Sequence, residues 1–329
     1  MRVGVHSFSY SRAFAGGKDK QKHPRLTMRG FMERVEQVGG EGFMFFVNDV
    51  KPPDPWGPEH IAWMREWTAK RGMYIELAVN TPENLARDAE LAVQLGCKNM
   101  RGIALRWLNG DRCNYKGNLE EGVDRAVELL RQAAPRLEEL GVRVGLENHL
   151  DLTMDEMLQV VERVGSRSVG ICLDTGNALG SMEDPVETAR KAAPHVVSTH
   201  FKDWKAGWTR RGFQFAACPM GQGVVDLKEI VRILAQHQPD LTLSLECATF
   251  QRFEVPFFEE DWWAGFPNLH ARHMARFTRF LHERVTENAE DWRTPIEEGW
   301  SDERLLAHED KMVREAVAYV RSELLPLAQ

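Results

Sequence analysis

Hydrophobic and polar positions along the chain change period about eight times. Short runs rich in Val, Leu and Ile fall near 2–9, 42–47, 74–79, 99–105, 142–147, 169–174, 196–201 and 241–246 and read as buried strands. Between them, apolar residues recur at helical spacing near 27–38, 58–70, 82–95, 119–140, 153–164, 184–193 and 226–237, and an eighth stretch begins near 268. Punctuation agrees: Thr81-Pro82 and Asp184-Pro185 set proline at a first helical turn, and Gly96, Gly141 and Gly165 follow helix ends. Strands alternating with helices imply a parallel sheet. Eight such units predict an α/β fold, a (β/α)8 TIM barrel, rather than a doubly wound sheet of five or six strands. The barrel is expected over 1–285. Residues 286–329 are expected as a linker, near Asp291 to Trp300, and an additional C-terminal helix near 302–324 that packs on the barrel or on a partner subunit.

Composition narrows the class. At 329 residues and 43% hydrophobic content the chain can bury one large core. A formal net charge of −7 gives no basic footprint for nucleic acid or an anionic membrane, and no apolar run reaches the roughly 18 residues of a spanning helix. The start, MRVGVHSFSY, lacks the apolar segment and small-residue cleavage site of a signal peptide. Five cysteines (Cys97, Cys113, Cys172, Cys218, Cys247) lack C-x-x-C spacing, and their odd number suits a reducing, cytoplasmic setting.

Candidate chemistry sits on the last four strands. Glu147 in VRVGLENH, Asp174 in VGICLDTGN, His200 in VVSTHFKD and Glu246 in LTLSLECAT each lie near the C-terminal end of an apolar run. Two positions earlier, on the same face, the residue is small: Gly145, Cys172, Ser198 or Ser244. Each strand is therefore expected to aim one ionisable group into a shared space kept open beneath it. Three carboxylates and an imidazole converging there would repel and desolvate badly without a cation, and a divalent metal is the simple remedy.

The order Glu, Asp, His, Glu on strands five to eight, with G-L-E-N-H, C-L-D-T-G-N, H-F-K-D, S-L-E and G-Q-G-V-V-D, resembles the xylose isomerase-like barrel superfamily, which includes sugar phosphate isomerases and epimerases. The resemblance covers roughly 2–285. It implies that Glu147, Asp174, His200 and Glu246 bind one divalent ion, with Mn²⁺ expected and Mg²⁺, Co²⁺ or Zn²⁺ as alternatives. It implies further that Glu147 and Glu246 are the catalytic acid and base, moving a proton through a metal-stabilised enediolate of a small carbohydrate substrate. A lyase, dehydratase or decarboxylase, of a keto-sugar or keto-acid is the alternative. Two departures matter. Many members have His where this chain has Asn177, and the histidines of the endonuclease branch are absent at Val47-Asn48 and Val79-Asn80, which disfavours a nucleic-acid substrate. Intact Glu147 and Glu246 argue against a non-catalytic sugar binder.

Further candidates for substrate contact are His6, Arg106, His149, Asn177, Lys202 and Arg211. Lys202 shares a face with His200 and could hold a carboxylate, a phosphate or a nearby acid. Trp107, Trp204, Trp208, Trp262 and Trp263 gather in the loops, to face a sugar or to pack the loops together. GQGVVD looks like a phosphate-binding fragment, but it lacks the third glycine of a dinucleotide fingerprint; Asp226 is expected to cap the next helix. The loops 203–223 and 250–267 are expected to roof the site. The extra helix and the aromatics favour a homodimer or homotetramer.

Overall fold

The computed structural model describes residues 1–328 apart from 52–53, 55–56, 81, 106–111 and 113–118. Seven parallel strands run in chain order: β1 (Arg2–His6), β2 (Gly42–Phe46), β3 (Tyr74–Ala78), β4 (Asn99–Gly102), β5 (Arg143–Glu147), β6 (Val169–Asp174) and β7 (Val196–His200). Two further strands, β8 (Trp204–Thr209) and β9 (Gly212–Ala217), precede the last barrel strand, β10 (Thr242–Leu245). The sheet order β10-β1-β2-β3-β4-β5-β6-β7 closes where Phe201 donates its N–H to Ser244 O at 2.8 Å and Glu246 N donates to Phe201 O at 2.9 Å. A (β/α)8 barrel results, as the alternating pattern predicts.

The helices are α1 (Ser11–Ala15), α2 (Met28–Gln37), α3 (Pro58–Ala69), α4 (Leu85–Leu95), α5 (Leu119–Leu140), α6 (Met154–Val164), α7 (Pro185–Ala192), α8 (Leu227–His237), α9 (Ala271–Arg284) and α10 (Asp302–Tyr319). Local signals fix their ends. Thr153 and Glu156 form a reciprocal capping box on α6, and Gly165 closes that helix with φ 69°, a conformation that costs glycine nothing. Asp184 caps α7 ahead of Pro185, and Asp226 accepts Glu229 N at 3.1 Å to cap α8.

Two features differ from the sequence expectation. The long segment after β7 is a β-hairpin, β8 with β9, not an irregular loop. It is extended by β11 (Arg252–Val255) and β12 (Glu287–Asn288) into a second four-stranded sheet. A separate aromatic cluster forms on it from Trp204, Phe213, Phe215, Phe257, Trp262 and Phe266. Second, α9, expected as the eighth barrel helix, lays Phe277, Phe280 and Leu281 on that cluster, with Phe277 5.5 Å from Phe213 between ring centroids.

The C-terminal helix α10 packs on the barrel, one of the two placements the sequence allows, against α1, β1 and β10, and residues 320–328 beyond it pack on α8. Its Val313, Ala316 and Val317, with Val320 and Leu324 beyond its end, join the main core. The cause is complementarity of stripe: an aromatic helix face suits the aromatic sheet, and an aliphatic one suits the barrel. Glu309 on α10 secures the dock by accepting Arg12 N at 2.8 Å and Ala13 N at 2.9 Å at the start of α1. No described helix is long and apolar enough to cross a membrane, and Cys97, Cys172, Cys218 and Cys247 form no disulfide.

Candidate active site

Glu147, Asp174 and His200 are the last residues of β5, β6 and β7, and Glu246 directly follows β10. All four are buried. One ligand-type atom from each lies within 4.8 Å of the others, a cluster that could hold a metal ion. His200 Nδ1 stands 3.0 Å from Glu147 Oε1, 3.6 Å from Glu246 Oε1 and 3.9 Å from Asp174 Oδ2. Its Nε2 faces Met44 Sδ at 3.2 Å. The small residues beneath do not keep a space open. A Cβ on Gly145 would sit 2.8 Å from Cys172 N and 2.9 Å from Ser198 Oγ, so small size lets β5, β6 and β7 close into a packed floor.

Two cationic side chains reach this cluster. Arg101, inside β4, donates Nε to Glu147 Oε2 at 2.5 Å and Nη1 to Val79 O at 3.2 Å. Lys202 pairs closely with Glu246, and its Nζ lies 2.8 Å from Asp174 Oδ2. The two carboxylates thus share one buried ammonium. The repulsion that seemed to demand a metal is thus met in part by Arg101 and Lys202. The sequence reading missed Arg101, although a charge inside the apolar run 99–105 is the same mark that singled out the four ligands.

Burial sets the electrostatics and the neighbours decide the sign. Burial pushes the Glu147 carboxyl up, but Arg101, His200 and His149 outweigh it and hold it well below the usual range. Glu246 is treated the same way by burial against Lys202 and His200, and settles at about 2. Asp174 is pushed up to about 7, chiefly by burial, against the pull of Lys202. For His200, burial lowers the imidazole, but Glu147 and Glu246 raise it above its ordinary value.

The remaining candidates divide. Asn177 donates Nδ2 to Glu147 Oε1 at 3.2 Å, while its N–H and that of Gly176 anchor Asp174 Oδ1, each at 2.9 Å. His6 adjoins the cluster, its ring 4.7 Å from that of His200 and its Nδ1 accepting Phe8 N at 3.0 Å and standing 3.7 Å from Glu246 Oε1, and with His200 and Glu246 it makes a second group that could hold a metal. Burial and His200 lower it well below its ordinary value. His149, Asn177 and Lys202 line a cavity of about 420 Å³, together with Arg101, Glu246 and Gln251. Its apolar wall is Phe8, Phe46, Ile103, Leu150 and Phe253. Arg211 is elsewhere: it sits in the turn between β8 and β9, with Nη1 2.8 Å from Glu254 Oε2 and Nε 3.4 Å from Glu259 Oε1, and does not line the cavity. Arg106 and Trp107 lie outside the described residues. Trp204 packs edge-on to Phe215 and Phe253, and Trp208 and Trp263 bond Val285 O and Phe257 O, so these rings hold the roof together.

The G-Q-G motif also finds its partner. Asp203 accepts the N–H groups of Gly221 and Gly223, both at 2.9 Å, on Oδ2 and that of Trp204 on Oδ1. The backbone cradle is filled by the chain's own carboxylate.

The xylose isomerase-like TIM barrel family model matches residues 32–265. The chain belongs to this family. Among relatives, 3-oxo-isoapionate decarboxylase of Pectobacterium atrosepticum is 23% identical over 252 residues, spanning 75% of this chain and 85% of that one. A D-psicose 3-epimerase crystallised with D-fructose superposes with TM-score 0.64 at 16% identity, covering 99% of this chain and all of the other. The probable 3-DHS dehydratase of Bacillus anthracis gives 0.57 at 17%, over 75% of this chain and 92% of its own. At these identities the structural likenesses speak for the fold, and the enzymes share it with different reactions.

Proposed function

We propose that the chain is a divalent-metal-dependent isomerase or epimerase of a small sugar or keto-sugar, acting by proton transfer through an enediolate. The observation that carries this reading is the pair Glu147 and Glu246, brought from β5 and the end of β10 to either oxygen-rich flank of His200 Nδ1, at 3.0 and 3.6 Å. The donor set fits a hard ion: three carboxylates and one imidazole whose ligand atoms lie within 4.8 Å of one another. Glu147, Asp174, His200 and Glu246 would hold the ion, which when bound supplies the Lewis acidity that weakens a C–H bond beside a carbonyl.

The chain's own residues do the rest. Glu246, ionised and on the cavity wall, takes the proton from carbon at a carboxylate oxygen. For Glu147 to return a proton, on the opposite face for epimerisation or at the adjacent carbon for isomerisation, it must enter the step protonated, and the proton taken by Glu246 passes back to the pair through solvent before the next turnover. Asn177, His149 and Gln251 offer hydrogen bonds to hydroxyls, and the phenylalanine wall excludes water. The likeness to D-psicose 3-epimerase supports this choice.

A second reading, a lyase, is favoured by the relative named for decarboxylation. It would use the same enolate chemistry, with carbon dioxide or hydroxide leaving. Incubating candidate ketoses with the Mn²⁺-supplemented protein in D₂O tests both. Deuterium in recovered sugar supports the isomerase or epimerase, a new product without exchange into the sugar supports the lyase, and the absence of both exchange and product refutes both readings.

A further inference from the structure

The catalytic cavity has a neighbour on its β2–β3 side. Phe46, which closes β2, and Asn80, two residues beyond β3, line the cavity. The same two residues line a second space of about 570 Å³ that runs from the ends of β2 and β3 along α4 to Gln94. Sites that bury a drug-sized ligand measure roughly 300–1,000 Å³, so each space has room of its own and one small sugar leaves the second unused. Around apolar Val79 and Leu91, four of the groove's polar side chains are amides: Asn48, Asn80, Asn84 and Gln94. An amide both donates and accepts, as a sugar hydroxyl does. The charged groups there are already paired, Arg87 with Asp88 at 3.4 Å and Glu90 with Arg136 at 3.0 Å, so the groove suits a neutral ligand. Asn84 gives an independent sign. It stands at the N-cap of α4, where an Asn side chain ordinarily accepts a first-turn N–H, yet it makes no such bond and lines the groove. Asn80 is held at the junction by Arg101, whose Nη1 donates to its Oδ1 at 3.4 Å, and its NH₂ group is left for a ligand.

We infer that this groove is a subsite for a second, uncharged sugar unit. The substrate is then a glycoside: a keto-sugar that reacts in the cavity and a glycosyl group that lies along α4, joined beside Phe46 and Asn80. The inference rests on the isomerase or epimerase reading for the unit that reacts, and names what that unit carries.

The test titrates the full chain, loaded with Mn²⁺, calorimetrically with D-fructose and with turanose, maltulose and isomaltulose. These disaccharides carry a neutral glucose on O3, O4 or O6 of the same ketose. At least one of them is expected to bind about tenfold more tightly than fructose, the gain of one or two net hydrogen bonds. In the Asn48→Ala, Asn84→Ala double variant, whose two side chains are exposed in the wild type, that preference falls to parity. Wild-type protein that binds none of the three more tightly than fructose overturns the inference. So does a preference that survives the double variant, which would seat the glucose elsewhere. Should the variant fail to fold, the wild-type comparison still decides. Deuterium exchange on the same sugars in D₂O separates the two levels. Exchange into fructose without a disaccharide preference sinks this inference alone, whereas a disaccharide preference with no exchange into any of the sugars upholds the subsite and counts against the proposed reaction.

Discussion

Replacing Arg101 by Met removes the partner of a carboxylate that stays buried. Arg101 is 3% exposed and Glu147 1%, so water cannot take over the lost charge pairing. Breaking one side of such a pair costs about 3–5 kcal/mol. The lower end is expected here, because Asn177 Nδ2 at 3.2 Å and His200 Nδ1 at 3.0 Å still face Glu147 Oε1. For a chain of this length that corresponds to a fall of about 4–7 °C in the unfolding midpoint.

The pH dependence gives the argument its sign. Glu147 is held well below its ordinary value, with Arg101 the largest of the neighbours that overcome burial. A depressed carboxyl contributes its stability above the unfolded value of about 4.3 and loses it as pH falls through the folded value. The gap between wild type and Arg101→Met should therefore be full at neutral pH and narrow below about 4.3. Urea unfolding followed by circular dichroism across that range reads the gap directly. A deficit under about 1 kcal/mol at neutral pH, or one that persists unchanged into acid, would refute the buried ion pair.

Four further outcomes are expected. Glu246→Gln should stay folded but melt below the wild type, because the buried Lys202 loses a carboxylate partner, while deuterium exchange into the responsive sugar falls by about 10²–10⁴; near-normal exchange removes its role as base. Mn²⁺ at about a hundred times its Kd should stabilise the wild type by about 2.7 kcal/mol and Asp174→Asn by much less, and a melting curve indifferent to Mn²⁺ in both contradicts the four-ligand site. Gly223→Ala places a Cβ 2.1 Å from Asp203 Oδ1 and 2.4 Å from Trp204 O; a loss of about 1–3 kcal/mol is expected as the cradle opens, and an unmoved urea midpoint argues against it. Leu324→Ala should cost about 2–5 kcal/mol in one cooperative transition, since Leu324 belongs to the main core; a separate early step would show α10 to be an appendage.

What the chain discloses locally and what it hides follow from the range of each interaction. The alternation of strands and helices, the caps at Thr153, Asp184 and Asp226, and the four acids and imidazole closing apolar runs are all written within a few neighbouring residues. The strand register then does nothing more than align their ends. Arg101 is different: it carries the same local mark, but its meaning lies in a partner 46 residues away, and without that pairing a metal looks like the only answer to the acidic cluster. The placement of α9 on the second sheet has a similar origin. The stripes of α9 and α10 both have helical period, and only the aromatic face of the β8–β9 sheet, assembled from distant segments, selects the one rich in phenylalanine. Arg211 is carried off the site by a hairpin whose turn no apolar pattern announces. The G-Q-G motif makes the point most sharply. Its backbone does form an anion cradle, as glycine spacing suggests, yet the anion is Asp203, eighteen residues back from Gly221. A motif can specify the chemistry of a binding surface, but what fills that surface is settled by whichever group the fold delivers to it.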